Sequence, residues 1–179
     1  KTLGVNFDYH GICLINARGE SSISKIAQLV RRFHIPAVCL YDRDVMGTAR
    51  QSPYVFFTDF ICYEMDVVKS CLAHRGRKAL DQVIGDMEDA GDAVNTSLIK
   101  KAGAKLGLPK GYYPPVKLKN INPRNREALE FYYFAWLYGN KGVIIGRTLG
   151  KSLGKELIPP AFARVIQAAV RLSCGSSEK

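Results

Sequence analysis

The sequence predicts an α/β fold in its first third, with a parallel sheet flanked by helices, and a mostly helical remainder. Two apolar runs, residues 11–17 and 37–41, have the length and composition of buried strands. Between them, residues 23–30 carry apolar side chains at helical spacing. A strand, a helix and a second strand joined by short connections give a parallel pair. A weaker third strand is predicted at residues 54–57.

Helix boundaries follow from capping residues and helix breakers. Ser21 or Ser22 is predicted to cap the first helix, and Pro159 is predicted to open the last one, which ends near Cys174. Further helices are predicted over residues 60–71, 80–90, 93–106 and 127–137. Residues 131–138 are so rich in aromatic side chains that most are expected in the core, with the rest available for a dimer interface or base stacking.

Net charge and cysteine content indicate which partners and which cellular compartment suit the protein. The 179 residues contain 26 Lys and Arg against 16 Asp and Glu, a net charge of +10 that favours a polyanionic partner such as nucleic acid. The five cysteines form no CxxC pair, which argues against a zinc ribbon, and their odd number suits a reducing cytoplasm. No apolar run approaches the roughly 18–20 residues that span a bilayer, so no membrane partner is expected. Because the chain opens on Lys1 without an initiator Met, we expect a fragment of a longer protein.

Asp42 and Asp44 directly follow the second predicted strand. The carboxyl end of a parallel strand is where open α/β sheets bind their ligands, and two carboxylates there suit Mg²⁺ or Mn²⁺. Alternatively, the two residues only end the strand and solvate a turn. Glu64 is predicted to return beside Asp42 as a third ligand, unless it lies on a solvated helix face. Of the neighbouring acids, Asp59 is expected to be a helix N-cap and Asp66 a surface residue.

The stretch 11–44, with its two strand-like runs and the helix between them, resembles the Toprim domain of ATP-dependent endonucleases of the OLD (overcoming lysogenization defect) family. The resemblance implies a Toprim-like parallel sheet with a helical insertion and C-terminal helices. It assigns Asp42 and Asp44 to the family's Asp-x-Asp metal motif, with Asp42 also catalytic, and Glu64 to its later acidic position. It further implies that Lys141 is the family's late lysine, which stabilises charge in the transition state.

The resemblance also implies a domain organisation. Residues 1–74 would form the Toprim core, residues 75–138 the helical insertion, and residues 139–179 a helical segment that packs back on the core. In this family an ABC-type ATPase domain precedes the Toprim domain, so ATP is expected to act only through that upstream domain. The family's glutamate motif is expected upstream of Gly11, and residues 1–10 contain no Glu. Either the motif lies before this chain, or the site lacks a principal ligand.

The function implied is Mg²⁺- or Mn²⁺-dependent hydrolysis of DNA phosphodiester bonds, with one or two ions held by the carboxylates. Two alternatives stay open. The first is a nucleic-acid-binding or assembly module with a degenerate Toprim site. The second is a phosphatase of the haloacid dehalogenase type, suggested by the Gly-Thr pair at residues 47–48. That family has no residues between its Asp-x-Asp and Gly-Thr motifs, whereas two intervene here, and the nearest late acidic motif, Gly85-Asp86, follows a helical pattern.

Basic residues are spread over four segments, 75–78, 100–101, 117–126 and 147–155. Each by itself fits a solvated face, and together they suggest a surface that follows the phosphate backbone of DNA. The last segment overlaps a run similar to a Walker A loop, residues 146–152, but three residues separate its glycines where four are needed. An ATP site is therefore not expected in this chain.

Overall fold

The computed structural model describes residues 3–111, 116–140 and 143–175, apart from the side chains of residues 143–145. Within these ranges the elements are, in chain order, α1 Glu20–Arg32, β1 Cys39–Tyr41, β2 Val55–Phe57, α2 Tyr63–Ala73, α3 Arg77–Asp89, α4 Thr96–Lys105, α5 Arg126–Gly139, α6 Val143–Ser152 and α7 Pro160–Cys174. The chain divides into two compact units. We call residues 1–66 with 159–179 the sheet unit, and residues 67–158 the helical unit.

The sheet unit contains a parallel pair of strands. Cys39 of β1 lies opposite Val55 of β2, and Tyr41 lies opposite Phe57. The prediction of parallel strands is confirmed for this pair, although each strand has only three residues. The core of the unit forms around Ala27, Cys39 and Tyr41, where α1 packs on β1. Helix α7 contacts both strands, so the last helix completes the unit that the first residues begin.

The prediction of a strand at residues 11–17 is wrong. Gly11 and Arg18, at its two ends, have φ angles of 61° and 57°, and the residues between them are not in strand conformation. Leu14 is 84% exposed and Ile15 is 52% exposed, so the run lies on the surface. A parallel strand needs a hydrogen-bonded neighbour and cover on both faces. In the part of the chain that the structure describes, the sheet consists of β1 and β2 alone.

The predicted helices are present, with boundaries shifted by a few residues. Helix α1 is capped by Gly19 rather than by a serine. Helices α4 and α5 begin after Asn95 and Asn125, whose side chains accept hydrogen bonds from the backbone N–H of Leu98 (3.0 Å) and Ala128 (3.1 Å). Helix α6 is not among the predicted helices, because its glycines lower the helix propensity of the segment. None of the described helices is both long and apolar enough to cross a bilayer.

The helical unit is built around α5. Residues 131–137 of this helix are all buried, and the largest fully buried side chains include Trp136, Tyr132, Tyr133 and Phe134. The expectation that most of the aromatic stretch is core is confirmed, so these seven residues are not available for base stacking. Helix α4 packs along α5, and α3 contacts both α5 and α6.

Candidate metal centre

The two parallel strands end side by side, and acidic residues follow them. Asp42 comes directly after β1, and Thr58 comes directly after β2. The backbone N–H of Thr58 donates to the carbonyl of Tyr41 over 3.0 Å, which continues the ladder to the strand ends. We call this region, with Asp42, Asp44 and Glu64, the acidic edge. It lies at the carboxyl ends of parallel strands, the usual ligand position of an open α/β sheet.

Asp42 joins the end of β1 to the start of α2. Its backbone is extended, and its Oδ1 atom accepts a hydrogen bond from the backbone N–H of Tyr63 over 3.0 Å. Tyr63 is the first residue of α2, so the carboxylate of Asp42 lies at the positive end of that helix dipole. The prediction that this helix returns beside the end of the strand is therefore confirmed for its first residue.

Glu64 follows Tyr63 on α2 and is half-buried, with its Oε2 atom fully buried. The pKa of the neighbouring Cys62 thiol is affected by both Glu64 and Asp42. Burial raises the pKa of Cys62 to about 12, and the nearby negative charges of Glu64 and Asp42 contribute to the rise. Both carboxylates therefore lie near the same buried thiol. The role of Glu64 as a third ligand stays a prediction.

Asp44 lies in the 3-10 turn Arg43–Val45 that follows Asp42, and its residue is exposed. The buried hydroxyl of Thr58 holds this turn in place. Thr58 Oγ1 accepts from the backbone N–H of Arg43 over 2.9 Å and donates to the carbonyl of Phe60 over 2.7 Å. Because Thr58 holds the backbone of Arg43, the backbone position of the next residue, Asp44, is fixed as well.

Two neighbouring acids have structural roles that differ from the expectations. Asp66, expected on the surface, is 2% exposed. Its carboxylate accepts from the backbone N–H groups of Asp59 (3.0 Å) and Phe60 (2.7 Å), and burial raises its pKa. Asp59 does not cap a helix, because α2 begins only at Tyr63; it pairs with Arg164 of α7 at 2.5 Å. The sequence analysis did not predict the structural roles of Thr58, Asp66 and Arg164. Their hydrogen-bond or ion-pair partners are distant in sequence or lie in segments without regular secondary structure.

The acidic edge fits one class of metal and not another. Among the described residues, no group of three or more His, Cys, Asp or Glu side chains is arranged to hold a metal ion. Within those residues, a closed site of the zinc type, which needs four ligands, is therefore not present. Mg²⁺ usually keeps several waters and binds one or two protein carboxylates together with substrate phosphates. Two carboxylates separated by one residue, Asp42 and Asp44, satisfy that requirement in their chemistry.

The remaining sequence features lie elsewhere in the chain. Lys141 falls outside the described residues, so its role stays a prediction. The run similar to a Walker A loop, residues 146–152, belongs to α6. Its backbone amides are engaged in a helix and cannot form a phosphate-binding loop. Gly85 and Asp86 lie inside α3, as their helical pattern predicts, and not after a strand as a late acidic motif of a phosphatase would.

One comparison with protein families matches the first segment of the chain. Residues 1–44 match the family described as overcoming lysogenization defect protein-like, TOPRIM domain. The resemblance to an OLD-like Toprim domain is confirmed. The matched segment contains α1 and β1 and ends on Asp44, so it includes both Asp42 and Asp44. Neither the curated proteins nor the solved structures give a match to the chain.

The match over residues 1–44 points to a coarse functional class. Toprim domains are metal-binding modules of the nuclease and primase type, and they typically bind divalent ions. The fold agrees in part, because a parallel pair of strands with flanking helices is present while the sheet is small and the rest of the chain is mostly helical.

Proposed function

We propose that the chain is part of a divalent-metal-dependent DNA endonuclease, the catalytic Toprim region of an OLD-like ATP-dependent nuclease. The observation that supports it most is the position of Asp42 and Asp44 at the carboxyl end of β1, inside the segment that matches the Toprim family. The hydrogen bond from the Tyr63 N–H holds Asp42 in this position.

Asp42 and Asp44 would hold the ion, with Glu64 beside them. Mg²⁺ or Mn²⁺, when bound, would activate a water and stabilise negative charge on the phosphate. Asp42 is oriented by α2 and Asp44 by the turn that Thr58 fixes, so the chain itself supplies the spacing of the two carboxylates. Lys141 would contribute positive charge near the transferred phosphate.

The proposed partners follow from charge and from the family. The net charge of +10 favours DNA as the polyanion. An upstream ABC-type ATPase domain of the same polypeptide would supply the response to ATP, and a homodimer would bring two such regions together.

Calorimetric titration with Mn²⁺ tests the metal site directly. Asp42→Asn and Asp44→Asn remove one negative charge each, and Asp42→Asn keeps an oxygen that accepts from Tyr63. We expect both variants to bind Mn²⁺ more weakly than the parent chain, and Glu64→Gln to do so if Glu64 is the third ligand. Asp89→Asn, an exposed acid at the end of α3, is the matched control and should bind normally. Equal affinity in all four variants would overturn the assignment.

The second candidate is a nucleic-acid-binding or assembly module with a degenerate Toprim site. Its support is that no group of three metal-binding side chains is arranged for an ion among the described residues. This candidate predicts that the chain binds DNA, shows no Mn²⁺ binding at millimolar concentration and does not nick a supercoiled plasmid in Mn²⁺. The proposed nuclease site predicts metal binding that depends on Asp42 and Asp44.

A further inference from the structure

A surface groove of about 440 Å³ lies between α3 and α6, entirely within the helical unit. Its floor includes the apolar side chains of Val83 and Leu157. Its polar and charged lining residues are Arg75, Lys78, Gln82, Asp86, Thr148 and Ser152, and all of them except Asp86 suit an anion. Nothing in the acidic edge involves this groove, since all of its residues belong to the other unit.

The two cations of the groove, unlike the neighbouring Arg77, are exposed. Arg77 is held inside the unit, where it donates to Asp81 over 3.1 Å and to the carbonyl of Pro123 over 2.8 Å. Arg75 and Lys78 are exposed, and neither forms an ion pair within the described ranges. Their charges are therefore available to a ligand.

The charge along the groove is uneven. Arg75 precedes α3 and Lys78 lies in its first turn, whereas Asp86 lies eight residues after Lys78. At 1.5 Å per residue this is about 12 Å along the helix axis. The cations thus lie at the end of α3 where the helix dipole is also positive. With the amide of Gln82, these are the groups that proteins use to bind phosphate oxygens.

The charge of the whole helical unit favours a long polyanion. Residues 67–158 contain 16 of the 26 Lys and Arg but eight of the 16 Asp and Glu, so this unit carries a net charge of +8 out of +10. Two of its acids are engaged internally by neutral side chains: Asp81 by Tyr133 and Glu88 by Tyr132. The engaged acids leave the cations as the dominant surface charge.

The shape of the groove also favours a chain over a small molecule. Pockets for small ligands enclose most of the ligand surface. Here Arg75, Lys78, Gln82 and Ser152 are all exposed, so a ligand would remain open to solvent on one side. A nucleic-acid backbone passing over the groove meets this condition.

We infer that the α3–α6 groove binds the phosphodiester backbone of DNA through Arg75 and Lys78. The choice of DNA as the polyanion rests on the proposed function. The binding itself does not need the acidic edge, because no carboxylate of that edge lies in the groove. Contact with phosphates alone implies equal affinity for duplexes of unrelated sequence.

Fluorescence anisotropy with a short labelled DNA duplex tests the inference on the whole chain, in EDTA and over a range of salt concentrations. Arg75 has a φ of 58°, a conformation that Asn tolerates, so the double variant Arg75→Asn with Lys78→Gln removes both charges without backbone strain. Loss of two phosphate contacts should lower the slope of log affinity against log salt by about two. Lys25→Gln, an exposed lysine of α1 outside the groove and outside the four basic segments, should leave the slope unchanged.

A second pair of variants separates the groove from overall charge. Gln82→Glu and Gln167→Glu change the net charge equally, but Gln82 lines the groove and Gln167 is an exposed residue of α7 in the sheet unit. Only Gln82→Glu should weaken DNA binding. A parent chain that binds no duplex, or equal losses in both members of either pair, would overturn the inference. Since EDTA excludes metal, this failure is distinct from a failure of Mn²⁺ binding at Asp42 and Asp44.

Discussion

The backbone N–H of Tyr63 donates to Oδ1 of Asp42 over 3.0 Å, which makes Asp42 the cap of a helix that begins 21 residues later in the chain. The carboxylate of Asp42, which we propose binds metal, thus also stabilises the start of α2. The ring of Tyr63 in turn stacks on that of Phe162 in α7, with centroids 4.3 Å apart. The acidic edge is therefore held by three distant parts of the sheet unit.

The two roles of Asp42 can be separated by substitution. Asp42→Ala removes the acceptor for the Tyr63 N–H and should lower the free energy of unfolding by about 1 kcal/mol, the usual cost of losing a helix cap. Asp42→Asn keeps an acceptor, so its stability should be close to that of the parent chain while Mn²⁺ affinity falls. Urea unfolding followed by circular dichroism measures the first effect. Equal destabilisation by Ala and Asn would contradict the capping role.

Asp66 should matter for stability more than its neighbours. Asp66→Ala removes the charged acceptor of the backbone N–H groups of Asp59 and Phe60, and a hydrogen bond to a charged group contributes about 1.5–3 kcal/mol. Asp66→Asn retains one acceptor oxygen and should fall between Ala and the parent chain. The exposed Asp89→Ala is the control and should change the free energy of unfolding by less than about 0.5 kcal/mol. An Asp66→Ala chain as stable as this control would refute the assignment.

The buried thiol of Cys71 should make the folded protein less stable at alkaline pH. Its side chain is fully buried, and burial raises the pKa of its thiol from 9.0 to about 11. Because the pKa is higher in the folded than in the unfolded chain, the contribution of this thiol to stability is complete below pH 9.0 and is lost as the pH rises through about 11. The stability advantage of the parent chain over Cys71→Ala should therefore shrink from pH 8 to about pH 10.5. The stability cost of Val68→Ala, which truncates a fully buried side chain without a titrating group, should stay constant over this range.

Tyr132 connects the core of the helical unit to its surface loop. Its buried hydroxyl donates to Glu88, whose other carboxylate oxygen accepts from the backbone N–H of Leu118 over 3.2 Å. Tyr132→Phe removes the donor and should lower the free energy of unfolding by about 1–3 kcal/mol. Trp136, which is buried and donates to the carbonyl of Asp92, gives the fluorescence signal. Tyr9→Phe should have no effect, since Tyr9 is 82% exposed.

The parts that could be predicted from sequence are those with local signals. A short apolar run followed at once by Asp42 predicts a buried strand that ends at this acid, and β1 agrees. Dense aromatic residues predict a core helix, and α5 is one. In each case neighbouring residues determine the outcome.

The parts that could not be predicted depend on distant partners. Residues 11–17 have strand composition, but composition does not show whether a neighbouring strand is present, and Leu14 lies exposed. Asp66 resembles a surface acid until the turn at Asp59 and Phe60 folds onto it. Asp59 and Arg164 lie 105 residues apart, a separation that no periodicity reveals.

The pairing of Asp59 with Arg164 has a consequence for synthesis on the ribosome. At translation rates of about 5–20 residues per second, Arg164 emerges roughly 5–20 s after Asp59. The whole of residues 67–158 is made during that interval, as one uninterrupted segment. We therefore expect the nascent chain to complete its helical unit first and to assemble the acidic edge last, when α7 emerges from the exit tunnel. A growing polypeptide would carry the α3–α6 groove, which we propose binds phosphates, before it carries the complete acidic edge.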